Sequence, residues 1–320
     1  MANEIVINGR GDTMIVRKPL IPNTHVLVTP DREINIDWRR NFDRMRMIGD
    51  AWKEIYPYTD EVRVDLNHLT EYPDKPYLLW WASDMHIGNV DTAYDALQKD
   101  IDLIENTPNT GLITVGDDVD MGILPRFEVR FMQAFPPYMQ AFTMEDIIAE
   151  FNGRNPRGKQ LVLAHVIGNH THTLMEQSGI LFEKFYEKSR AGILPGIGEV
   201  FVTLGDQTYE IALAHRYTGS SRLNVTLAPK RLMEFGYPSA DIAVVGHQHK
   251  TASERFIKGG KWHTAVRPGT YRVGTDLFEK ARGWGAGQLG GVCSLLYPDH
   301  KDTETFMSLE AGIDRLKNFI

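Results

Sequence analysis

Five short apolar runs, each ending at an Asp, Asn or His, constrain this chain more than any other feature. YLLWWAS (77–83) runs into Asp84 and His86, and LITV (112–115) into Gly116, Asp117, Asp118, Val119 and Asp120. LVLAHVI (161–167) runs into Gly168, Asn169 and His170, IALA (211–214) into His215, and IAVV (242–245) into Gly246, His247, Gln248 and His249. Each run has the length and composition of a buried strand. Between the first two, residues 91–107 space Ala93, Leu97, Ile101 and Ile104 at helical intervals, with Asp91 as the expected cap. Strand, helix and strand make a βαβ unit, so the fold class expected is α/β. Ligands in open α/β sheets gather beyond the carboxyl ends of the strands. The five runs therefore deliver Asp, Asn and His to one rim. In an extended GHQH, alternate side chains share a face, so His247 and His249 are expected to point the same way.

The bulk composition excludes several classes. The 320 residues are 42% hydrophobic and 24% charged, as in soluble globular proteins, with one cysteine, Cys293. That cysteine count excludes an internal disulfide framework and fits a reducing, cytoplasmic setting. The opening MANEIVINGRGD has no apolar signal-peptide core, and no uncharged run reaches membrane-spanning length, so no membrane partner is expected. A net charge of −7 argues against a wholly nucleic-acid-coating surface but leaves room for a local basic groove. Texture changes at YPDKP (72–76). Residues 1–75 are read as an N-terminal extension that contacts a protein partner, a substrate or a second copy. Residues 76–320 are read as the main domain. The extension holds one expected helix, 38–55, and the final segment 303–320 is expected to be a surface helix interrupted at Gly312.

Seven residues offer ligand atoms at the strand ends: Asp84, His86, Asp117, Asn169, His215, His247 and His249. One zinc ion takes three or four protein ligands, so seven suit two divalent ions sharing a carboxylate. Oxygen and imidazole donors without thiolate favour Mn²⁺, Fe or Zn²⁺. Two such ions clamp a phosphoryl group and turn a shared water into hydroxide near neutral pH, so no serine or cysteine nucleophile is needed.

The ordered set DMH (84–86), GDDVD (116–120), GNH (168–170), His215 and GHQH (246–249), followed by RPGT (267–270), resembles the signature of the calcineurin-like metallophosphoesterases. The resemblance spans about residues 77–275 and implies a sandwich of two mixed β-sheets flanked by helices. By motif position it implies that Asp84, His86 and His249 hold one metal, that Asn169, His215 and His247 hold the other, and that Asp117 bridges them. His170 becomes a general acid oriented by Asp120. Thr171, Arg216 and Met121 stand where the family often has an acid, a glycine and an arginine, which disfavours a Ser/Thr protein phosphatase. Arg216 is a candidate grip on a phosphate oxygen.

The reading preferred at this stage is a phosphodiesterase acting on DNA or RNA, similar to exonuclease-type and phage-encoded members. The rivals are a phosphomonoesterase of small esters or nucleotides, and an assembly protein that keeps the fold. His165 is read as a core histidine, His172 as a polar loop residue, and His25, His68, His263 and His300 as surface or packing residues. Trp80 and Trp81 are read as core, and Arg39, Arg40, Arg44 and Arg46 as a solvated helix face.

Overall fold

The computed structural model describes residues 3–7, 13–17, 38–55, 59–120, 132–172, 186, 189–219, 221, 223–274 and 285–320. His25 and the side chains of Arg39 and Arg40 lie outside this set. The chain divides into two compact units, Met1–Tyr56 and Pro57–Ile320.

In the first unit, β1 (Asn3–Ile7) and β2 (Thr13–Arg17) form an antiparallel pair with Asn3 opposite Arg17, and α1 (Trp38–Ile55) is the helix expected from the sequence. Arg44 and Arg46 of α1 are exposed, and Arg46 meets the equally exposed Asp43, as on a solvated face.

The second unit starts upstream of the texture change at 72–76. Its β3 (Glu61–Asp65) pairs in parallel with β8 (Ile197–Leu204), Val62 opposite Val200. Glu71 is tied in as well, its two carboxylate oxygens accepting from Nε and Nη2 of Arg157 at 2.7 and 2.8 Å.

Two six-stranded mixed sheets build this unit. The first orders β14 (Thr303–Phe306), β13 (Cys293–Leu296), β4 (Tyr77–Ala82), β5 (Thr110–Thr114), β6 (Val162–Val166) and β7 (Gly192–Leu194). The second orders β11 (Thr251–Lys258), β12 (Lys261–Pro268), β10 (Ile242–Val245), β9 (Gln207–Ala214), β8 and β3. All five apolar runs are strands, three in the first sheet and two in the second. Strands β4, β5 and β6 are mutually parallel, as are β9 and β10.

The continuous hydrophobicity of β4 follows from burial on both faces. Tyr77, Leu79 and Trp81 join Val200, Ile211 and Val244 of the second sheet in the central core. Their alternates Leu78, Trp80 and Ala82 pack in the outer core with Leu97 and Ile104 of α2 (Tyr94–Asn106), Met144 and Ile148 of α3 (Pro137–Phe151), and Ile313 of α5 (Leu309–Leu316). On the far side Ala212, Ala214, Ala243 and Val245 pack with Leu232 and Met233 of α4 (Leu227–Phe235). The result is helix, sheet, sheet, helix, the sandwich that the resemblance implied. No helix among the described residues is long and apolar enough to cross a membrane.

Two expectations need correction. Asp91 does not cap α2, whose N-cap is Ala93 with no side-chain bond. The Asp91 amide instead donates to Asn89 Oδ1, 2.9 Å away, in the preceding turn. The C-terminal segment is not one helix either, because 303–306 pairs with β13 before α5 begins at a Ser308 cap. Gly312 does not interrupt α5. It is buried where a Cβ would lie 2.4 Å from Cys293 Sγ and 3.0 Å from Leu78 Cδ1.

Candidate metal centre

The carboxyl ends of β4, β5, β6, β9 and β10 meet where the two sheets abut, and Asp84, His86, Asp117, Asn169, His170, His215, His247 and His249 come together there. Three clusters have ligand atoms within 4.8 Å of one another: Asp84, His86 and His249; Asp117, His215 and His247; and His86, Asp117 and His170. In the first, Nε2 of His249 lies 3.1 Å from Nε2 of His86 and 3.3 Å from Asp84 Oδ1. In the second, Nε2 of His215 lies 2.9 Å from Asp117 Oδ2 and 3.0 Å from Asn169 Oδ1.

Close backbone approach explains the motif glycines. A Cβ on Gly168 would sit 2.2 Å from the Asp117 amide nitrogen, and one on Gly246 would sit 2.5 Å from Ser83 Oγ and 3.1 Å from the Val115 carbonyl. Gly246 therefore serves proximity between the sheets. The turn itself is made by its neighbours: His247 and His249 have φ of 72° and 55°, so GHQH is not extended as the sequence suggested. The two imidazoles consequently separate, one into each cluster. Asp84, His86 and Asp117 are left-handed too, at 50°, 48° and 54°. Strained non-glycine backbone of this kind collects at functional sites.

The donor set fits divalent metal. Nδ1 of His86 donates to Asp120 Oδ1 at 2.8 Å and Nδ1 of His215 donates to the Val115 carbonyl at 2.8 Å, which turns each Nε2 inward. Oδ1 of Asp84 is buried and faces the imidazoles, 3.3 Å from His249 Nε2 and 3.8 Å from His86 Nε2, an anionic oxygen with no other partner among the described residues. Electrostatics follow from burial. Burial would raise Asp84, but His249 and the charge of His215 hold it below the usual carboxylate range. Burial would lower His215, yet the charge of Asp117 lifts it to about 9, so a proton on Nε2 competes with any cation. Burial depresses His86 and His247 to about 4.

Asp120 works differently from its expected role. Its carboxylate bonds His86, and Asn89 Nδ2 and Gln133 Nε2 both donate to Oδ2. Its backbone carbonyl, rather than its carboxylate, accepts from His170 Nδ1, while its Oδ1 lies 3.9 Å from that nitrogen. His170 is also placed by its amide, which donates to Asp117 Oδ1 at 2.8 Å, and its Nε2 lies 3.8 Å from Asp117 Oδ2. Arg216 is exposed at the end of β9, next to His215.

Several residues of the site were given no role by the sequence. Asn89 and Gln133 hold Asp120 from two loops. Asp118 is buried, with Oδ2 accepting from Tyr186 at 2.6 Å, and burial pushes its carboxyl up to about 7. His165 packs against the Tyr186 ring with centroids 4.3 Å apart, in the core as expected. Trp80 and Trp81 are also fully buried. His263 is a packing residue, bonded to the Ala240 carbonyl, while His68, His172 and His300 are exposed.

The sequence matches no family model and no curated protein. Among solved structures it is similar to a metallophosphoesterase from Sphaerobacter thermophilus (14% identity, 75% of this chain and 98% of the other, TM-score 0.35). It is similar to the nuclease MPE of Pseudomonas putida (13%, 71% and 87%, TM-score 0.32). It is also similar to wild-type Vps29 complexed with zinc from Entamoeba histolytica (14%, 72% and 97%, TM-score 0.32). Likenesses this remote decide nothing about chemistry, which has to be read from the side chains.

Proposed function

We propose that this chain is a calcineurin-like, dinuclear metal-dependent phosphoesterase. The observation that carries this is the pair of clusters, Asp84–His86–His249 and Asp117–His215–His247, joined by contact of Asp117 with both sides. The first would hold one ion, the second with Asn169 the other, and Asp117 would serve both. Mn²⁺ suits the oxygen and imidazole set, with Fe or Zn²⁺ as alternatives. When bound, two divalent ions would offset phosphoryl charge and lower the pKa of the attacking water.

The chain's own residues supply the rest. His170 uses Nδ1–H on the Asp120 carbonyl, so a proton on Nε2 makes the ring cationic and available to the leaving oxygen. Asp120 fixes both His86 and His170. Arg216 is exposed and can reach a phosphate oxygen as a charged fork.

The substrate proposed is a phosphodiester of nucleic acid. Tyr94, Phe135 and Tyr138 are 40–55% exposed around the loops that hold Asp120. Those loops are joined by Val90 N to the Met132 carbonyl and Ala134 N to the Gly88 carbonyl. Exposed aromatic faces of this kind stack bases.

The test is Mn²⁺-dependent hydrolysis of bis-p-nitrophenyl phosphate and p-nitrophenyl phosphate, with Asp117→Asn as control, followed by a single-stranded oligonucleotide. Diester turnover that Asp117→Asn abolishes supports the reading. Turnover of the monoester alone removes the nucleic-acid substrate. No turnover by folded, Mn²⁺-loaded protein removes the enzyme reading and favours an assembly role for the fold.

A further inference from the structure

Arg267 is 2% exposed; the charge of Asp84 acts on it, but among the described residues it forms no close ion pair. A buried arginine without a carboxylate in contact has to be satisfied by carbonyls or it is costly. Here Nη1 and Nε find carbonyls. Nη1 donates to the carbonyls of Val245 at 3.0 Å and Gly246 at 2.6 Å, and Nε donates to the Val225 carbonyl at 3.1 Å.

Those acceptors are informative. Val245 ends β10, and the parallel ladder with β12 stops one residue earlier, at Val244 opposite Val266. The guanidinium therefore takes over where the backbone ladder runs out, and it does so immediately before the left-handed His247 and His249. Two carbonyls in succession are pinned from inside the neighbouring strand. The next amide, that of His247, is then committed to Asp84 Oδ2 at 2.9 Å. The third contact, to Val225, ties in the segment that follows His215 and Arg216. A lysine has one point charge and cannot span three divergent carbonyls as a planar fork can.

We propose that Arg267 is the positioning residue of the metal centre, fixing the β10 exit so that His247 and His249 reach their separate clusters. This rests on the metal-centre reading above, and a purely structural role for Arg267 is its rival.

The experiment uses the full chain and the variants Arg267→Lys and Arg267→Gln. Calorimetric titration with Mn²⁺ is expected to show affinity about 10- to 100-fold weaker in both, the size typical for loss of a group that orients a metal ligand. In metal-free, ¹⁵N-histidine-labelled protein, the resonances of His247 and His249 are expected to shift while that of His263 stays in place. Arg267→Lys that binds Mn²⁺ within twofold of wild type, with unmoved His247 and His249 resonances, overturns the proposal. Should both variants fail to fold, the wild type decides: in metal-free protein the Arg267 Nε–H is expected to be protected from exchange together with the His247 amide, and an Nε–H that exchanges freely while that amide stays protected overturns the proposal. Failure of the metal-centre reading looks different, because wild-type protein would then take up no Mn²⁺ that Asp117→Asn abolishes.

Discussion

Protonation of His165 is expected to set much of the acid sensitivity of this fold. The ring is fully buried on β6, hydrogen-bonded through Nδ1 to Thr114 Oγ1 at 2.9 Å, and burial alone lowers its pKa from 6.5 to about 3. The sign follows from proton counting. Below pH 6.5 the unfolded chain takes up a proton that the folded chain refuses until about pH 3, so stability falls as pH falls through that window. At 1.36 kcal/mol per unit, the loss is about 2 kcal/mol by pH 5 and about 5 kcal/mol by pH 3. His165→Asn removes the titration and keeps a polar atom for Thr114. Urea unfolding of both proteins in chelator at pH 7, 6 and 5 isolates the effect, because His86, His215, His247 and Asp118 titrate in both and cancel in the difference. The variant starts less stable, since a smaller side chain leaves space, and the gap is expected to close by about 2 kcal/mol between pH 7 and pH 5. A gap that stays constant refutes the reasoning.

Glu71→Ala is expected to destabilise by about 3 kcal/mol, because it leaves the 8%-exposed Arg157 guanidinium with only neutral acceptors, two carbonyls and the Thr110 hydroxyl; denaturant unfolding checks this, and Arg157→Met in the same chain should recover part of the loss. Gly312→Ala should cost about 1–3 kcal/mol despite the helical preference of alanine, since the new methyl meets Cys293 Sγ, and Cys293→Ala should relieve it more than additively in the thermal midpoint.

What could be read in the sequence was what burial on both faces writes into it. β4, β5, β6, β10 and the last four residues of β9 are buried and mostly apolar because helices or the other sheet cover each side, and the ligands are visible because each follows a strand end. β11 was not legible, as an edge strand whose TASERFIK is half exposed throughout. β14 was missed because TETF merges into the helical spacing of the residues after it. The partner of Asp120 was hidden for a different reason: a carboxylate three residues after Asp117 can face either histidine, and only the approach of Asn89 and Gln133 turns it to His86. Arg267 lay inside RPGT, a motif marked only by resemblance, and nothing in it says that its guanidinium crosses to the next strand.

The five left-handed residues of the centre raise a question of energy. At about 1–2 kcal/mol each, together they cost about 5–10 kcal/mol, as much as many domains have in total. Such strain persists only where the surroundings hold it. Asp84 is bonded at both ends, its amide to the Gly116 carbonyl at 2.9 Å and its carbonyl to Tyr271 N and Thr270 Oγ1. His86 donates to the Asp117 carbonyl at 3.0 Å and accepts from Thr92 Oγ1, and the His249 carbonyl accepts from Gln288 N at 2.8 Å. Every one of these partners belongs to the protein, so the geometry is expected to stand before any cation arrives. The amides of Asp84, His86 and His247 are therefore expected to be protected from hydrogen exchange in chelator-treated protein by about 10³-fold or more, equivalent to about 4 kcal/mol of local opening. Were the loops instead shaped by metal, the same amides would exchange freely in chelator and slow only on adding Zn²⁺, and the strained backbone would be a product of binding rather than its preparation.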